Sequence, residues 1–172
     1  KELMEPYSLD TMGSQELLLP SLKPRLERHA NYFYLILHFP AFKQSHNKNN
    51  SQEIDIIVGK NFVITVRYDI SESLDHFSRF LDVESVTKKA EIDTPALYIF
   101  FNLMDYLYNG AQYEIEHAQD RLKLIEENIY SGNEKEMVFT ISKLSREILQ
   151  FKQIISPHKE IQRCGKILRR LH

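Results

Sequence analysis

The feature that most constrains the fold is a helical apolar stripe across residues 94–130. Apolar residues recur along it in steps of three and four, the spacing of one helix face, and no proline interrupts it for about ten turns. Its members are Leu97, Phe100, Met104, Leu107, Ala111, Ile115, Ala118, Leu122, Ile125 and Ile129. Thr94 followed by Pro95 is typical of a helix start. The sequence therefore predicts one long amphipathic helix here.

A second stripe follows a break at residues 131–133. Its apolar members are Met137, Ile141, Leu144, Ile148, Phe151 and Ile155. Asn133 with Glu136 three residues later predicts a capping box at the start of this helix, which we expect to run to Ser156. Because the break is only three residues long and contains Gly132, the two stripes predict a long antiparallel helical hairpin.

The first half of the chain carries strand patterns. The run YFYLILHF at residues 32–39 is dense in aromatic and branched side chains and predicts a buried strand. Ile54, Ile56 and Val58 alternate with Glu53 and Asp55. After a turn at residues 59–61 a second alternation follows, with Phe62, Ile64 and Val66 on one side and Val63, Thr65 and Arg67 on the other. This predicts a hairpin with one face toward a core, preceded by a polar loop at residues 43–52. With the strand at residues 32–39, the hairpin gives a prediction of three adjacent antiparallel strands.

Two further helices complete the predicted elements. Residues 2–19 carry a helical pattern, and Ser71 is placed to cap an amphipathic helix that turns Leu74, Phe77, Phe80 and Leu81 inward, before a polar linker at residues 82–93. The predicted fold class is α+β: a small antiparallel sheet packed with helices in an α/β/α sandwich-like arrangement, followed by the long hairpin. We expect a single domain over residues 1–172, with an α/β part (1–92) and a long-helix part (93–172).

Composition excludes several classes of protein. With 172 residues, 42% of them hydrophobic, the chain is large enough for one core. A net charge of -2 and a pI near 6.4 give no reason to expect nucleic-acid binding. The single Cys164 excludes an internal disulfide framework. No apolar run approaches the roughly 20 residues needed to cross a bilayer, so the chain is expected to be soluble.

No constellation of residues points to catalysis. The sequence has no phosphate-binding glycine loop, no paired histidines at metal spacing on one helix and no Gly-x-Ser-x-Gly elbow, so we expect it not to be an enzyme. Asp105 stands out because it lies between Met104 and Tyr106 in a strongly apolar part of the long helix, where an unpaired carboxylate would be costly to desolvate. It is interpreted as a capped or paired residue, or as a ligand for a hard cation.

Four strings, in order, resemble the cytoplasmic domain of CorA-type magnesium transporters. Residues 22–39 (LKPRLERHANYFYLILHF) resemble the family's Arg-Pro-Lys-hydrophobic-Glu element and the aromatic strand after it. Residues 52–66 (QEIDIIVGKNFVITV) are similar to its Glu-Gln strand, Lys-Asn turn and return strand. Residues 98–110 (YIFFNLMDYLYNG) and 145–161 (SREILQFKQIISPHKEI) resemble helical elements of the same domain. Together they cover nearly the whole chain.

The resemblance implies a regulatory domain of a homopentameric channel for magnesium or cobalt. In that family a stalk helix leads into two membrane spans with a Gly-Met-Asn loop at the pore mouth. We expect this chain to stop near the start of the stalk, and so to be a soluble piece from the cytoplasmic side of the membrane. Self-association and contact with the membrane would then depend on the parent protein.

The resemblance also implies metal ligands. Members of the family sense Mg²⁺ through carboxylates at the interfaces between protomers, and Glu16 and Asp105 fall at the positions of two of these. Gln15 occupies the position of a family glutamate, which puts a second site in doubt. Since the stalk carboxylates are absent, we expect weak binding of Mg²⁺, or of Co²⁺ or Zn²⁺, to Glu16 and Asp105.

The sequence leaves two alternatives open. A zinc transporter of the same architecture fits equally well, because the lack of cysteine pairs argues only against a soft-ligand site. A helical-hairpin interaction module with no role in ion transport is the second alternative.

Overall fold

The computed structural model describes residues 7, 9, 17–41, 51–69, 71–87, 95–159 and 161. Within this part of the chain four strands precede three helices: β1 (Arg25–Arg28), β2 (Tyr32–Pro40), β3 (Ser51–Gly59), β4 (Val63–Arg67), α1 (Glu72–Thr87), α2 (Pro95–Tyr130) and α3 (Glu134–Ile155). A small antiparallel sheet packed with helices and followed by a long helical hairpin confirms the predicted α+β class.

The sheet has the order β1-β2-β3-β4, and every neighbouring pair is antiparallel. The three predicted strands are present, but β1 was not predicted. Its sequence, RLER, has a single apolar residue, and Leu26 pairs with Leu35 of β2. A short, charged strand at a sheet edge is ordinary, because edge strands bury little and charges there discourage pairing with other chains.

Both faces of the sheet are covered, so the predicted single buried face of the hairpin is wrong. One face packs on the helices through a core that includes Leu37, Ile56 and, from α2, Leu103. The opposite face contributes Tyr34, Ile36 and Ile57 to a second buried cluster, which also contains Leu9. Tyr7 and Leu17 pack against this cluster. The sheet is therefore the middle layer of the fold.

The turn between β3 and β4 needs the glycine that the sequence provides. The Gly59 N–H donates to the Phe62 carbonyl at 3.0 Å. A Cβ at position 59 would lie 2.3 Å from the Phe62 ring, so no larger residue fits without moving that ring. The loop predicted at residues 43–52 is two residues too long, because β3 already begins at Ser51; residues 42–50 lie outside the described residues.

Helix α1 begins where predicted and ends later. The Ser71 carbonyl accepts the Asp75 N–H at 3.0 Å, and its hydroxyl oxygen lies 3.5 Å from the Leu74 nitrogen. Leu74 and Phe77 are buried in the core, as predicted. The first part of the predicted linker, from Asp82 to Thr87, is helical, so the prediction is wrong there. This stretch contains no Pro or Gly that would end the helix.

The two long helices form the predicted hairpin. Helix α2 begins at Pro95, as expected of a proline in the first turn, while Thr94 lies outside the described residues. At the other end Gly132 has a φ of 88°, and the N–H groups of Gly132 and Asn133 donate to the carbonyls of Ile129 and Asn128. This is the Schellman arrangement, in which a left-handed residue closes the last helical turn.

The predicted capping box at Asn133 is wrong. Its side chain makes no capping hydrogen bond, and its φ and ψ of -101° and 32° are not the extended angles that an N-cap requires. The Schellman turn sets this conformation, since Asn133 already donates its own N–H back to α2.

The predicted helix at residues 2–19 lies mostly outside the described residues. Its last part is wrong, because Leu17 to Leu19 form a turn. Pro20 explains this, since the residue before a proline is disfavoured in helical geometry. Among the residues described, none of the helices combines the length and apolar character that a bilayer crossing would require.

Candidate functional site

Asp105 lies on the solvent-exposed side of α2. The buried side of this helix carries Leu103 and Leu107, and Asp105 is two residues, or about 200°, from each of them. The interpretation of Asp105 as a buried carboxylate that needs a cap or a partner is therefore wrong. An exposed carboxylate keeps its hydration and is free to meet another molecule.

The position of the second predicted ligand is not described. Glu16 and Gln15 lie outside the described residues, which resume at Leu17. Within the described ranges no group of three or more His, Cys, Asp or Glu side chains is placed to hold a metal ion. Within the described part of one chain, the structure therefore leaves Asp105 as an exposed carboxylate, and its role as a metal ligand stays a prediction.

The structure reveals a buried polar cluster that the sequence analysis missed. Glu53 and Asp55 are two residues apart on β3 and therefore share a face of the sheet. The strand register places His38 opposite Glu53 on β2. This is the face covered by Leu9, so Glu53 is 9% exposed and Asp55 only 1%.

Hydrogen bonds tie this acid cluster, Glu53 and Asp55, to three parts of the chain. Asp55 Oδ2 accepts the hydroxyls of Tyr34, at 2.7 Å, and Tyr68, at 3.1 Å. Both carboxyl oxygens of Glu53 lie 2.7 Å from the Ser21 nitrogen. His38 Nε2 lies 2.9 Å from the Ser21 carbonyl oxygen and 3.3 Å from Glu53 Oε2. The stretch around Ser21 is therefore held at both its N–H and its carbonyl.

Burial changes the acidity of these groups. Desolvation raises the pKa of Glu53 to about 7, with the neighbouring Asp55 adding to the rise, and it also raises the pKa of Asp55. Desolvation likewise lowers the pKa of His38, although its hydrogen bond to Ser21 opposes this. The pKa of Tyr68 is raised by burial and by the adjacent Asp55. The burial that these groups share therefore disfavours their charged forms.

The sequence pattern that could have predicted this buried cluster lies in β2 and not in β3. Tyr34 and Ile36 alternate with Leu35 and Leu37, so β2 is apolar on both faces. A strand of that kind sits in a sheet covered on both sides, and acids on the neighbouring strand are then buried too.

A second buried group links the long hairpin to the sheet. His158, which follows α3, is 2% exposed. Its Nε2 lies 2.9 Å from the His38 carbonyl oxygen of β2, and its Nδ1 lies 3.1 Å from the Tyr108 hydroxyl of α2. With Nε2 protonated, the ring donates to the strand and accepts from the tyrosine. Burial lowers the pKa of His158, so the neutral ring is the stable form.

The outer part of the hairpin exposes apolar side chains to solvent. Of the two predicted stripes, Ile125 and Leu144 are buried between α2 and α3. Ile115, Leu122, Ile141 and Ile148 are 42% to 49% exposed. A cavity of about 300 Å³ lies between the helices here, beside the ion pair of Arg121 and Glu147. Several exposed apolar residues on one helical hairpin are a feature that contact surfaces often have.

Comparison with known proteins finds a matching family model and a curated relative. Residues 1–171 match the family model described as CorA-like Mg2+ transporter protein. A curated relative, the cobalt/magnesium transport protein CorA of Thermotoga maritima, is 22% identical over 158 residues, which are 91% of this chain and 44% of the relative.

Two solved structures share the fold. The full-length CmaX protein aligns with a TM-score of 0.73 and 16% identity over 92% of this chain and 47% of its own. The cytoplasmic domain of ZntB from Vibrio parahaemolyticus aligns with a TM-score of 0.65 and 15% identity over 90% of this chain and 59% of its own. The chain thus spans about half the length of the proteins it matches.

Proposed function

The chain belongs to the CorA-like Mg2+ transporter family, and on that premise we propose that it is the cytoplasmic, cation-sensing domain of a transporter for Mg²⁺ or Co²⁺. The observation that carries this proposal is the exposed carboxylate of Asp105 on the outward side of α2. The Thermotoga maritima relative, named as a cobalt/magnesium transport protein, supports the choice of ions.

The geometry of Asp105 favours a site shared between copies of the chain. A hard divalent cation takes about six oxygen ligands, far more than one carboxylate offers. Since no metal-binding group forms within the described part of a single chain, the remaining ligands come from water and from a second protomer. We assign Glu16 as the second protein ligand, in line with the resemblance of its position to a ligand position in the family.

Sensing follows from electrostatics at such an interface. Two carboxylates from neighbouring protomers repel each other when no cation is bound. A bound cation replaces this repulsion with shared coordination, so assembly and cation binding favour each other. Loss of the ion then loosens the interface and changes the position of the hairpin relative to a pore. In the assembled parent, taken to be a homopentamer, this movement gates the ion pathway.

The exposed apolar surface of the hairpin supports the assembly step. Ile115, Leu122 and Ile148 remain about half exposed in a single chain, although they belong to the helical stripes. Contact with a neighbouring protomer or with another part of the parent would bury this apolar area. Such burial stabilises a contact by roughly 25 cal/mol for each Å².

Magnesium titration of the 172-residue chain tests the proposal. We expect Mg²⁺ at ten times its dissociation constant to stabilise the fold by about 1.4 kcal/mol, which raises Tm by about 3–6 °C. Sedimentation velocity at the same concentrations should show a larger species. Parallel titrations with Co²⁺ and Zn²⁺ rank the ions, and a response to Zn²⁺ alone would favour the zinc-transporter alternative.

Two variants make this titration specific. Asp105→Asn should lose most of the response, whereas Asp120→Asn, which removes an exposed acid from the same helix, should keep it. The sensing proposal is wrong if millimolar Mg²⁺ leaves Tm and the sedimentation coefficient unchanged, or if the two variants respond equally.

A second candidate function is an interaction module without an ion role. The exposed apolar side chains of the hairpin favour it, because such a surface also suits a partner helix. Self-association that is independent of divalent cations and of Asp105 would support this candidate.

A further inference from the structure

We propose that Glu53 and Asp55 hold one proton between them, and that this shared proton keeps the stretch around Ser21 clamped to the sheet, so that pH controls its release. The inference does not depend on cation sensing. It begins from the position of two acids on one face of β3, in a layer sealed from water.

An orphaned acceptor indicates where the proton lies. Asp55 Oδ2 receives two tyrosine hydroxyls, but Asp55 Oδ1 is buried and finds no donor among the described residues if both acids are ionised. A buried acceptor without a donor loses its hydration and gains nothing in return, which destabilises the fold. Glu53 lies two residues from Asp55 on the same face of β3, and hydrogen bonding between the two carboxyls is among the causes that act on both pKa values, so a proton on Glu53 supplies a donor for Asp55.

The shared proton also removes a repulsion. Two carboxylates two residues apart on one strand face cannot both ionise cheaply in a dry layer. Neutral Glu53 still accepts the Ser21 N–H through its carbonyl oxygen. His38 holds the Ser21 carbonyl at the same time. The protonated pair is thus compatible with every contact of the clamp.

The charges around the pair do not favour the doubly ionised state. Among the described residues, Arg25 of β1 is the cation that lowers the pKa of Glu53, and its influence is the smallest of the causes acting on that group. From β2, His38 faces the pair with a lowered pKa and is therefore mostly neutral near pH 7, while Tyr34 donates its hydroxyl. Tyr68, beyond β4, also donates and carries no charge.

Loss of the proton should open the clamp. With both acids ionised, repulsion favours movement of the Glu53 carboxylate into water, and the Ser21 N–H loses its acceptor. If opening restores an ordinary acidity to Glu53, the ratio of open to closed forms rises about tenfold between pH 6 and pH 8.

Two NMR measurements on the 172-residue chain test this. In the ¹³C carboxyl spectrum we expect the Glu53 signal to titrate near pH 7. The protection of the Ser21 amide against hydrogen exchange, corrected for intrinsic exchange, should fall about tenfold between pH 6 and pH 8. In Glu53→Gln, which stays neutral and keeps both a donor and an acceptor, that protection should not depend on pH. Glu126→Gln, an exposed acid of α2, should behave as the wild type.

The outcomes decide between a shared proton and an ordinary buried acid. A Glu53 midpoint below pH 5 overturns the shared proton, and this result needs no variant to fold. A midpoint near 7 with unchanged protection of Ser21 overturns the clamp. Asp55→Asn supplies a further check, since it should lower the Glu53 midpoint, and an unchanged midpoint there also contradicts the pairing.

Discussion

Replacing His158 by phenylalanine tests whether this buried ring fastens the long hairpin to the sheet. Phenylalanine preserves the ring and its edge contacts, which His158 makes with Phe39 and Tyr108 at centroid distances of 5.0 and 5.8 Å. The change removes the two hydrogen bonds, to the His38 carbonyl and to the Tyr108 hydroxyl. It therefore isolates the polar tie from the packing around it.

The expected cost follows from these two bonds. Each contributes about 1 kcal/mol of net stability, so His158→Phe should lower the free energy of unfolding by about 2 kcal/mol. For a chain of this size that is a fall in Tm of about 4–8 °C. Tyr108→Phe removes only one of the two bonds and should cost about 1 kcal/mol. In the double variant the two costs should not add, since both changes delete the same bond.

The pH dependence gives the experiment a second readout. Because burial lowers the pKa of His158 from 6.5, its contribution to stability is complete above pH 6.5 and is lost as the pH falls through the lowered value. The difference between wild type and His158→Phe should therefore shrink below pH 6.5, by at most about 1.4 kcal/mol for each pH unit. His38 is present in both proteins, so its own titration contributes to both, apart from the effect of its charge on His158.

Urea unfolding followed by circular dichroism, at pH 7.5 and at pH 5.5, measures both effects. The reasoning is refuted if His158→Phe costs less than about 0.5 kcal/mol at pH 7.5. It is also refuted if the difference between the two proteins is the same at both pH values. Either result would mean that the ring holds its place by packing alone.

Two further predictions concern packing around α2. Leu103→Ala, at a fully buried position, should cost about 3 kcal/mol in urea unfolding, whereas Leu149→Ala, at a position 55% exposed, should change stability by no more than about 0.5 kcal/mol; equal costs would contradict the assignment of the core. Gly110→Ala places a Cβ 2.6 Å from Ser73 Oγ. Replacing a helical glycine by alanine usually stabilises a fold by about 0.5–1 kcal/mol. Because of the close contact, we expect thermal melts to show this stabilisation only when Ser73→Ala is also made. A full gain in the single variant would show that α1 and α2 yield at this contact.

Local patterns predicted the helices and most of the sheet. The hairpin of α2 and α3 follows from apolar residues at helical spacing, since that period is written within each segment. Pro95 and Ser71 marked helix starts because proline and short polar side chains act on their own neighbourhood. Strand β1 was missed because its four residues become a strand only by pairing with β2.

The difference between local patterns and tertiary contacts also explains which parts of the candidate site could be predicted. Asp105 was singled out from its apolar neighbours, but the buried face of α2 is set by Leu103 and Leu107, and the carboxylate lies on the other side. Glu53 and Asp55 were assigned to the polar side of the hairpin, opposite the face predicted to meet the core. They are buried because Leu9, about 45 residues earlier in the sequence, helps to cover that face.

The sequence by itself determined the period of each helix and strand, the positions of the main turns and the family resemblance, because these depend on residues close together in the chain. Only the tertiary structure decided which polar groups lose their water. Burial of Glu53 and His158 depends on segments that are distant in sequence and meet only in the folded chain. Desolvation, which raises the pKa of the one and lowers the pKa of the other, is therefore a property of the fold.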